Sequence, residues 1–418
     1  MLNSGSISFN SAPHSKPTNE FKYLLKRAVI DFFGAIFLIV SLPIVLLINK
    51  LIPSKKRRIM VGTHPIVSNI HYKYLLEHGL PEYEIEIFIF EDWLNEKSYY
   101  DISAKDIFPK WIVGKNAYDI APYFVLLWAL RKYNGFYWHF DGAILERTFL
   151  WRVEPLILEL FGKRVIMQAY GADQWTILQS NNNLNFKIGL TQHRKRYFMM
   201  DLKKIKRNYM WCKYVHQISG DVRYLPVVNS FSLAHFFVET NELEYNVNQN
   251  LEKIIISHFA NHPERKGSNA IKVVCNNLIK KGYNIEYRAI SGVKREEALR
   301  ILDSSHIFIE HLFNGIIGTG CLEAMAKGNI VLTNIDDRLI DLALVQDYEF
   351  YSDFFDNAPI INVNIRTLEK ELISIINEKE NILNKIEKSR EFIELASKKV
   401  KDGFSDDENI KKIYSEAK

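Results

Sequence analysis

The chain has 418 residues, 47% hydrophobic and 25% charged, with 54 basic against 49 acidic side chains for a formal charge of +5. This composition excludes a wholly disordered, collagenous or polytopic membrane protein, and so mild a basic excess does not point to nucleic acid. Three widely spaced cysteines (Cys212, Cys275 and Cys321) and no CxxC support neither a disulfide framework nor a structural zinc site, so a reducing compartment is the simplest reading.

Residues 1–20 are rich in Ser, Asn and Pro without an apolar period, and are expected to form a disordered tail. Residues 21–57 are expected to anchor the chain in a membrane. Phe32–Ile48 carries no charge and has basic residues on both sides, Lys22, Lys26 and Arg27 before it and Lys50, Lys55, Lys56, Arg57 and Arg58 after it. No small-residue cleavage site follows, which argues against a signal peptide. As a helix the run is about 26 Å long, slightly short of a hydrocarbon core. Ser41 and Pro43 interrupt it, and proline kinks a helix. Basic flanks at both ends predict two cytoplasmic ends. A broken, re-entrant helix that enters and leaves on one face meets all of these conditions; a tilted single span with the heavier basic cluster inside is the other membrane reading, and a buried core helix is the plainer alternative. Both membrane readings put the rest of the chain at the cytoplasmic face of the inner (plasma) membrane. The pattern Lys26-Arg27…Asp31…Ser41-x-Pro43 is similar, over this segment only, to the re-entrant helix of monotopic phosphoglycosyl transferases.

Strand and helix patterns then alternate. Strands are predicted at Arg58–Gly62, Glu84–Phe90, Gly135–Phe140, Arg164–Ala169 and Tyr214–Ser219, with helices at Ile66–Glu77 and Tyr118–Lys132. The polar stretch Glu239–Asn250 reads as a linker. A second series follows: strand Lys253–Ser257, a helix capped by Ser268 and closed by Gly282, strand Asn284–Ile290, helix Glu296–Asp303, strand His306–Glu310, helix Thr319–Lys327 and strand Ile330–Thr333. This βα repetition predicts parallel sheets in an N-terminal unit (58–238) and a C-terminal unit (239–380), with Lys- and Glu-rich helices over 381–418.

Two motifs can carry chemistry. Gly315-Ile-Ile-Gly318-Thr-Gly320-Cys-Leu-Glu323 opens a helix whose first amides are unpaired and attract an anion such as a diphosphate. Glu323 there suits two neighbouring hydroxyls, such as those of a ribose; a tight loop with a helix-dipole glutamate explains the same residues. In Ser257-His258-Phe-Ala-Asn261-His-Pro-Glu-Arg265-Lys266-Gly267-Ser268, Arg265 and Lys266 can clamp a diphosphate or simply be solvated. His64, His139 and Asp173 lie at or after predicted strand ends, where open α/β sheets bind ligands. The run His193–Arg196 reads as a solvated or membrane-facing basic patch. No Asp-x-Asp or HExxH occurs, and no metal or cofactor is expected.

From Ile254 to Asn334 the chain resembles the C-terminal domain of glycosyltransferase family 4, in the GT-B superfamily: an apolar strand, Arg265-Lys266-Gly267, a helix, a strand, then the glycine loop and Leu-Glu323-Ala-Met-Ala-Lys-Gly328. The likeness extends to Phe136-Tyr-Trp-His139-Phe, to the strand end Tyr170-Gly171-Ala172-Asp173 and to Tyr224-Leu-Pro226. It implies a GT-B fold, two Rossmann-like domains facing a cleft, and a metal-independent glycosyltransferase taking a nucleotide-diphosphate sugar with retention. The acceptor would be a glycan on a polyprenyl diphosphate, made for surface polysaccharide. It implies that Lys266, Arg265, His139 and Asp173 serve catalysis, that Glu323, Gly318, Thr319, Gly320, Asn314 and His258 hold the donor, and that His64 and Tyr170 line the acceptor side. The family's first glutamate, eight residues before the second, is replaced by Gly315, with Glu310 and Asn314 as candidate substitutes, and Tyr170 stands where a histidine is common. A catalytically inactive membrane scaffold and a GT-B sugar epimerase are the alternatives.

Overall fold

Short apolar runs between helical segments pair as parallel strands in two sheets. The first sheet holds β1 (Arg58–Val61), β2 (Glu84–Ile89), β3 (Ile102–Ser103), β4 (Gly135–Trp138), β5 (Arg164–Gln168), β6 (Gln217–Gly220) and β7 (Ser230–Phe231), in the order β3-β2-β1-β4-β5-β6-β7. The second holds β8 (Ile254–Phe259), β9 (Ile285–Ile290), β10 (Ile307–Ile309), β11 (Ile330–Thr333) and β12 (Ile360–Asn362), in the order β12-β11-β10-β8-β9. The computed structural model describes residues 20–54, 56–92, 97–113, 117–171, 174, 195–220, 230–231, 233–260, 263–315 and 317–417. Asp173, His193, Arg194 and the Tyr224-Leu-Pro226 segment lie outside them.

The helices that matter below are α1 (Glu20–Leu51), α2 (Val67–Gly79), α3 (Ala117–Lys132), α4 (Glu154–Leu160), α5 (Lys195–Tyr214), α6 (Ser268–Lys280), α7 (Thr319–Ala326), α8 (Ile382–Ser405) and α9 (Glu408–Ser415). They cover both faces of each sheet, which is why the strands are apolar runs rather than alternating ones. In β1, Ile59 and Val61 enter one core with Tyr72 and Leu75 of α2, while Met60 points the other way into a core with Leu126 of α3.

Three expectations change. The strand predicted at Tyr214–Ser219 begins at Gln217, because α5 runs through Tyr214. Ser268 does not cap α6: Gly267, at φ +77°, holds the cap position, and the Ser268 hydroxyl is turned to His258 instead. α1 runs without interruption through Ser41 and Pro43, where an interruption is expected, and Pro43 sits on its outer face.

α1 packs along α3. A Cβ at Gly34 would lie 2.2 Å from the Tyr123 ring, so only glycine permits this approach. Next to it Arg27 and Asp31, 3% and 4% exposed, form an ion pair joined by the Tyr123 hydroxyl. Arg27 also reaches Asp119 Oδ1 at 3.2 Å, and Asp31 Oδ2 accepts from the Phe149 amide at 2.6 Å. At the other end of the chain, α8 leaves the second unit to pack on α2, and α9 seats Tyr414 against β4 of the first sheet.

Candidate active site

In each sheet the strand order reverses once. β1 leads to β2 and β3 on one side, while β4 pairs on its other side. β8 leads to β9 on one side, while β10 pairs on its other side. The two connections leave in opposite directions and open a crevice beyond the strands' C-terminal ends, where open α/β sheets take ligands. His64 follows β1 and His139 follows β4, whereas Lys266 follows β8 and Glu310 follows β10.

In the second unit, Lys266 ends a single helical turn, Pro263–Lys266, and its carbonyl accepts from the Leu312 amide at 3.0 Å. Its Nζ lies 3.5 Å from Glu310 Oε1. Glu310 is 4% exposed, and its Oε2 accepts from the Cys321 amide, in the first turn of α7, at 3.1 Å. A Cβ at Gly318 would come within 2.6 Å of Glu310 Oε1, and one at Gly320 within 3.2 Å. The glycines therefore make room for an acid of the chain itself, which fills the anion slot at the helix start. Burial works against the Glu310 charge, but Lys266, His311, the Cys321 side chain and the Gly318 amide outweigh it and hold the carboxyl below its ordinary range. Gly315 adopts φ +79° and accepts from the Asp336 amide, and Asn314 lies in the same loop. Arg265 belongs to the Lys266 turn.

Glu323 sits in the second turn of α7. Its Oε1 accepts from Arg295 Nη2 at 2.6 Å and Nε at 3.0 Å, and His71 Nε2 of α2 lies 3.8 Å away, so this carboxylate borders both units. Burial would raise its pKa, but His71 and Arg295 turn the balance and hold it low. The Arg295 fork was not legible as its partner, since 28 residues separate them. His258 is 1% exposed, with Nδ1 2.7 Å from Ile309 O and Nε2 2.7 Å from Ser268 Oγ; both ring nitrogens are engaged by the fold rather than turned to a donor.

In the first unit, Gly62 (φ +60°) bends the loop after β1 against Asn69, whose amide donates to His64 O at 2.7 Å. His139, fully buried, lies 2.7 Å from Gln168 O and 2.7 Å from Asn69 Oδ1, with its ring edge-on to Tyr170. His64 Nε2 is 2.7 Å from Asp141 O, and the Tyr170 hydroxyl donates to Asp141 Oδ2 at 3.1 Å. The structure brings His64, His139 and Tyr170 together around Asp141, an acid the sequence reading missed. Burial opposes the charge of Asp141, but His64, Arg207, His139 and Tyr170 hold its pKa below the usual value. Its only sequence signal is its place, two residues beyond the His139 strand end. Among the described residues, no group of three or more His, Cys, Asp or Glu side chains is placed to hold a metal ion.

Burial pushes both His139 and His258 down to about 4. Their pKa values lie below those in the unfolded chain, about 6.5. The stability they lend is therefore complete above that value and is lost as pH falls through 6.5 toward 4. Denaturant midpoints measured against pH should decline across this window, and His258→Gln should flatten part of the slope. A midpoint independent of pH there would contradict the assignment.

No known protein-family profile and no curated protein matches this sequence. Two parallel sheets with helices on both faces, each opening at its own switch point, define the GT-B fold. Sucrose-phosphate synthase from Thermosynechococcus elongatus is similar at TM-score 0.52 and 10% identity, over 86% of this chain and 98% of that one. The catalytic domain of starch synthase IV from Arabidopsis thaliana, bound to ADP and acarbose, is similar at TM-score 0.48 and 10% identity, over 87% and 99%. A UDP-N-acetylglucosamine 2-epimerase gives TM-score 0.44 and 10% identity, over 82% and 95%. At these identities the likeness is one of fold.

Proposed function

We propose that the chain is a glycosyltransferase that moves a sugar from a nucleotide-diphosphate donor to a glycan carried on polyprenyl diphosphate, at the cytoplasmic membrane face, in surface-polysaccharide synthesis. The observation that carries this reading is that Lys266 and the first-turn amide of Cys321 converge on one buried carboxylate, Glu310, at the second sheet's switch point. A departing diphosphate gains charge as the anomeric bond breaks, and an ammonium beside a helix start is placed to stabilise it. In a retaining reaction the acceptor hydroxyl bonds to the anomeric carbon on the face the phosphate leaves, and its proton goes to that phosphate. No protein base is then required. Glu323 is the group for the ribose, and His64, Asp141 and Tyr170 are those for the acceptor side.

Glu310 has to yield for the diphosphate to use the same amides. Glu310→Gln keeps the shape and removes a negative charge close to Lys266, so it should tighten UDP binding on the order of tenfold by calorimetry. An unchanged or weaker affinity would show that the carboxylate and the diphosphate do not compete. The filled slot also favours a second reading, a GT-B membrane scaffold without turnover. A donor panel followed by nucleotide release, with a polyprenyl-diphosphate acceptor present, separates the two. Release with one donor supports the transferase, and none with any donor from a folded protein overturns it.

A further inference from the structure

α1 has two faces with a helical period. Arg27, Asp31, Gly34 and Leu38 are turned to the body, while Phe32, Phe33, Ile36, Ile39, Ile44 and Leu47 are exposed. The inner face is engaged along its length. Arg27 meets Asp119 and Tyr123, Phe37 packs on Phe124 at 4.8 Å between ring centres, Asn49 donates to Leu130 O at 3.0 Å, and Arg131 donates to Ile52 O at 2.6 Å. A spanning helix needs about 20 residues in hydrocarbon. To carry α1 through the bilayer would take α3 and the buried Arg27–Asp31–Asp119 cluster along with it, and charges at membrane depth are costly.

The exposed apolar surface does not stop at α1. Trp111, 69% exposed, packs edge-on to Phe124, and Phe149, whose amide bonds Asp31, lies next to α1. Leu156 and Leu160 of α4 follow, then Leu202 and Tyr209 of the neighbouring α5. Lys206 lies on that outer face of α5 beside half-exposed Lys203, whose ammonium also pairs with Glu146 Oε1 at 3.1 Å, and Arg152 lies exposed over the Trp151 ring. Apolar side chains interleaved with exposed cations, at the rim of an unpaired helix face, are the chemistry of an anionic lipid surface.

We infer that α1 does not cross the bilayer but lies in the plane of an anionic membrane surface, sunk on its outer face, with Trp111, Phe149, α4 and the basic face of α5 docked on the same surface. This rests on the membrane reading above and replaces its re-entrant and spanning alternatives. An in-plane helix sinks its apolar face about 5–10 Å, to the boundary of headgroups and acyl chains.

The test uses the full chain with Cys212→Ser and a single fluorophore at Ile39→Cys, Phe149→Cys or Leu202→Cys, bound to phosphatidylcholine vesicles with and without phosphatidylglycerol. Quenchers at shallow and deep acyl positions report depth. All three sites should be quenched by the shallow probe and spared by the deep one. The pair Lys203→Ala and Lys206→Ala should weaken partition into the anionic vesicles on the order of tenfold and leave the neutral ones unaffected. Deep quenching at Ile39 with Phe149 and Leu202 left in water overturns the proposal in favour of a span and keeps the membrane reading. An unquenched Leu202 site alone overturns the docking of α5. No partition by any labelled protein overturns this inference and the membrane reading together.

Discussion

Lys266→Ala is expected to lower kcat/KM by about 100-fold or more, roughly 3 kcal/mol, the scale of losing one group that stabilises the transition state. The lysine is placed for that effect. It is 30% exposed, so its removal costs little packing, and its ammonium is held beside Glu310 at the opening of α7. The loss should fall mainly on kcat if the contact strengthens as the diphosphate departs, and on KM if donor and transition state are held equally. Steady-state kinetics with the donor found by nucleotide release, beside a thermal melt of the variant, measures both. A change of under threefold with normal stability would remove Lys266 from the reaction.

Asp31→Ala should be the most destabilising single change near the N-terminus, at about 3–5 kcal/mol, because it leaves Arg27 buried without its counter-charge. The Phe149 amide and the Tyr123 hydroxyl lose an acceptor at the same time. The pair Arg27→Met and Asp31→Leu removes both charges and should recover most of the loss, since an apolar pair of similar volume needs no compensation. Denaturant unfolding in detergent, with proteolysis after α1 as a second readout, checks both. Equal losses in the single and double variants would show that contacts other than the ion pair hold α1 to α3.

The strand runs, the glycine loop and the Lys266 turn were legible because each is local: an apolar run between breakers, or a basic pair between a strand and a helix. Glu310 was harder. It reads as the polar end of a strand, and only the return of the chain after β10 brings it under Gly318 and Gly320. Those glycines were assigned to a ligand from their position; the structure shows a carboxylate of the chain there. Asp141 was missed for a related reason, since its partners arrive from β1, β5 and α5. Arg27 and Asp31 stand four apart, a visible ion-pair spacing. What the spacing does not report is their burial under Tyr123, on the narrow stripe of α1 that faces protein. The continuity of α1 through Pro43 reflects packing on α3 that no local propensity reports.

The seat of Tyr414 sets an order of events during synthesis. This side chain is fully buried, its hydroxyl donates to Phe136 O at 3.0 Å, and Tyr83 donates to its carbonyl at 2.7 Å. A Cβ at Gly135 would lie 2.4 Å from its ring, so β4 is built to receive it. The N-terminal sheet therefore lacks a piece of its wall until residue 414 has left the ribosome. At about 5–20 residues per second, translation between these two points takes roughly tens of seconds. During that interval the nascent chain presents an open apolar notch beside an aromatic strand, a surface suited to a chaperone and, without one, to aggregation.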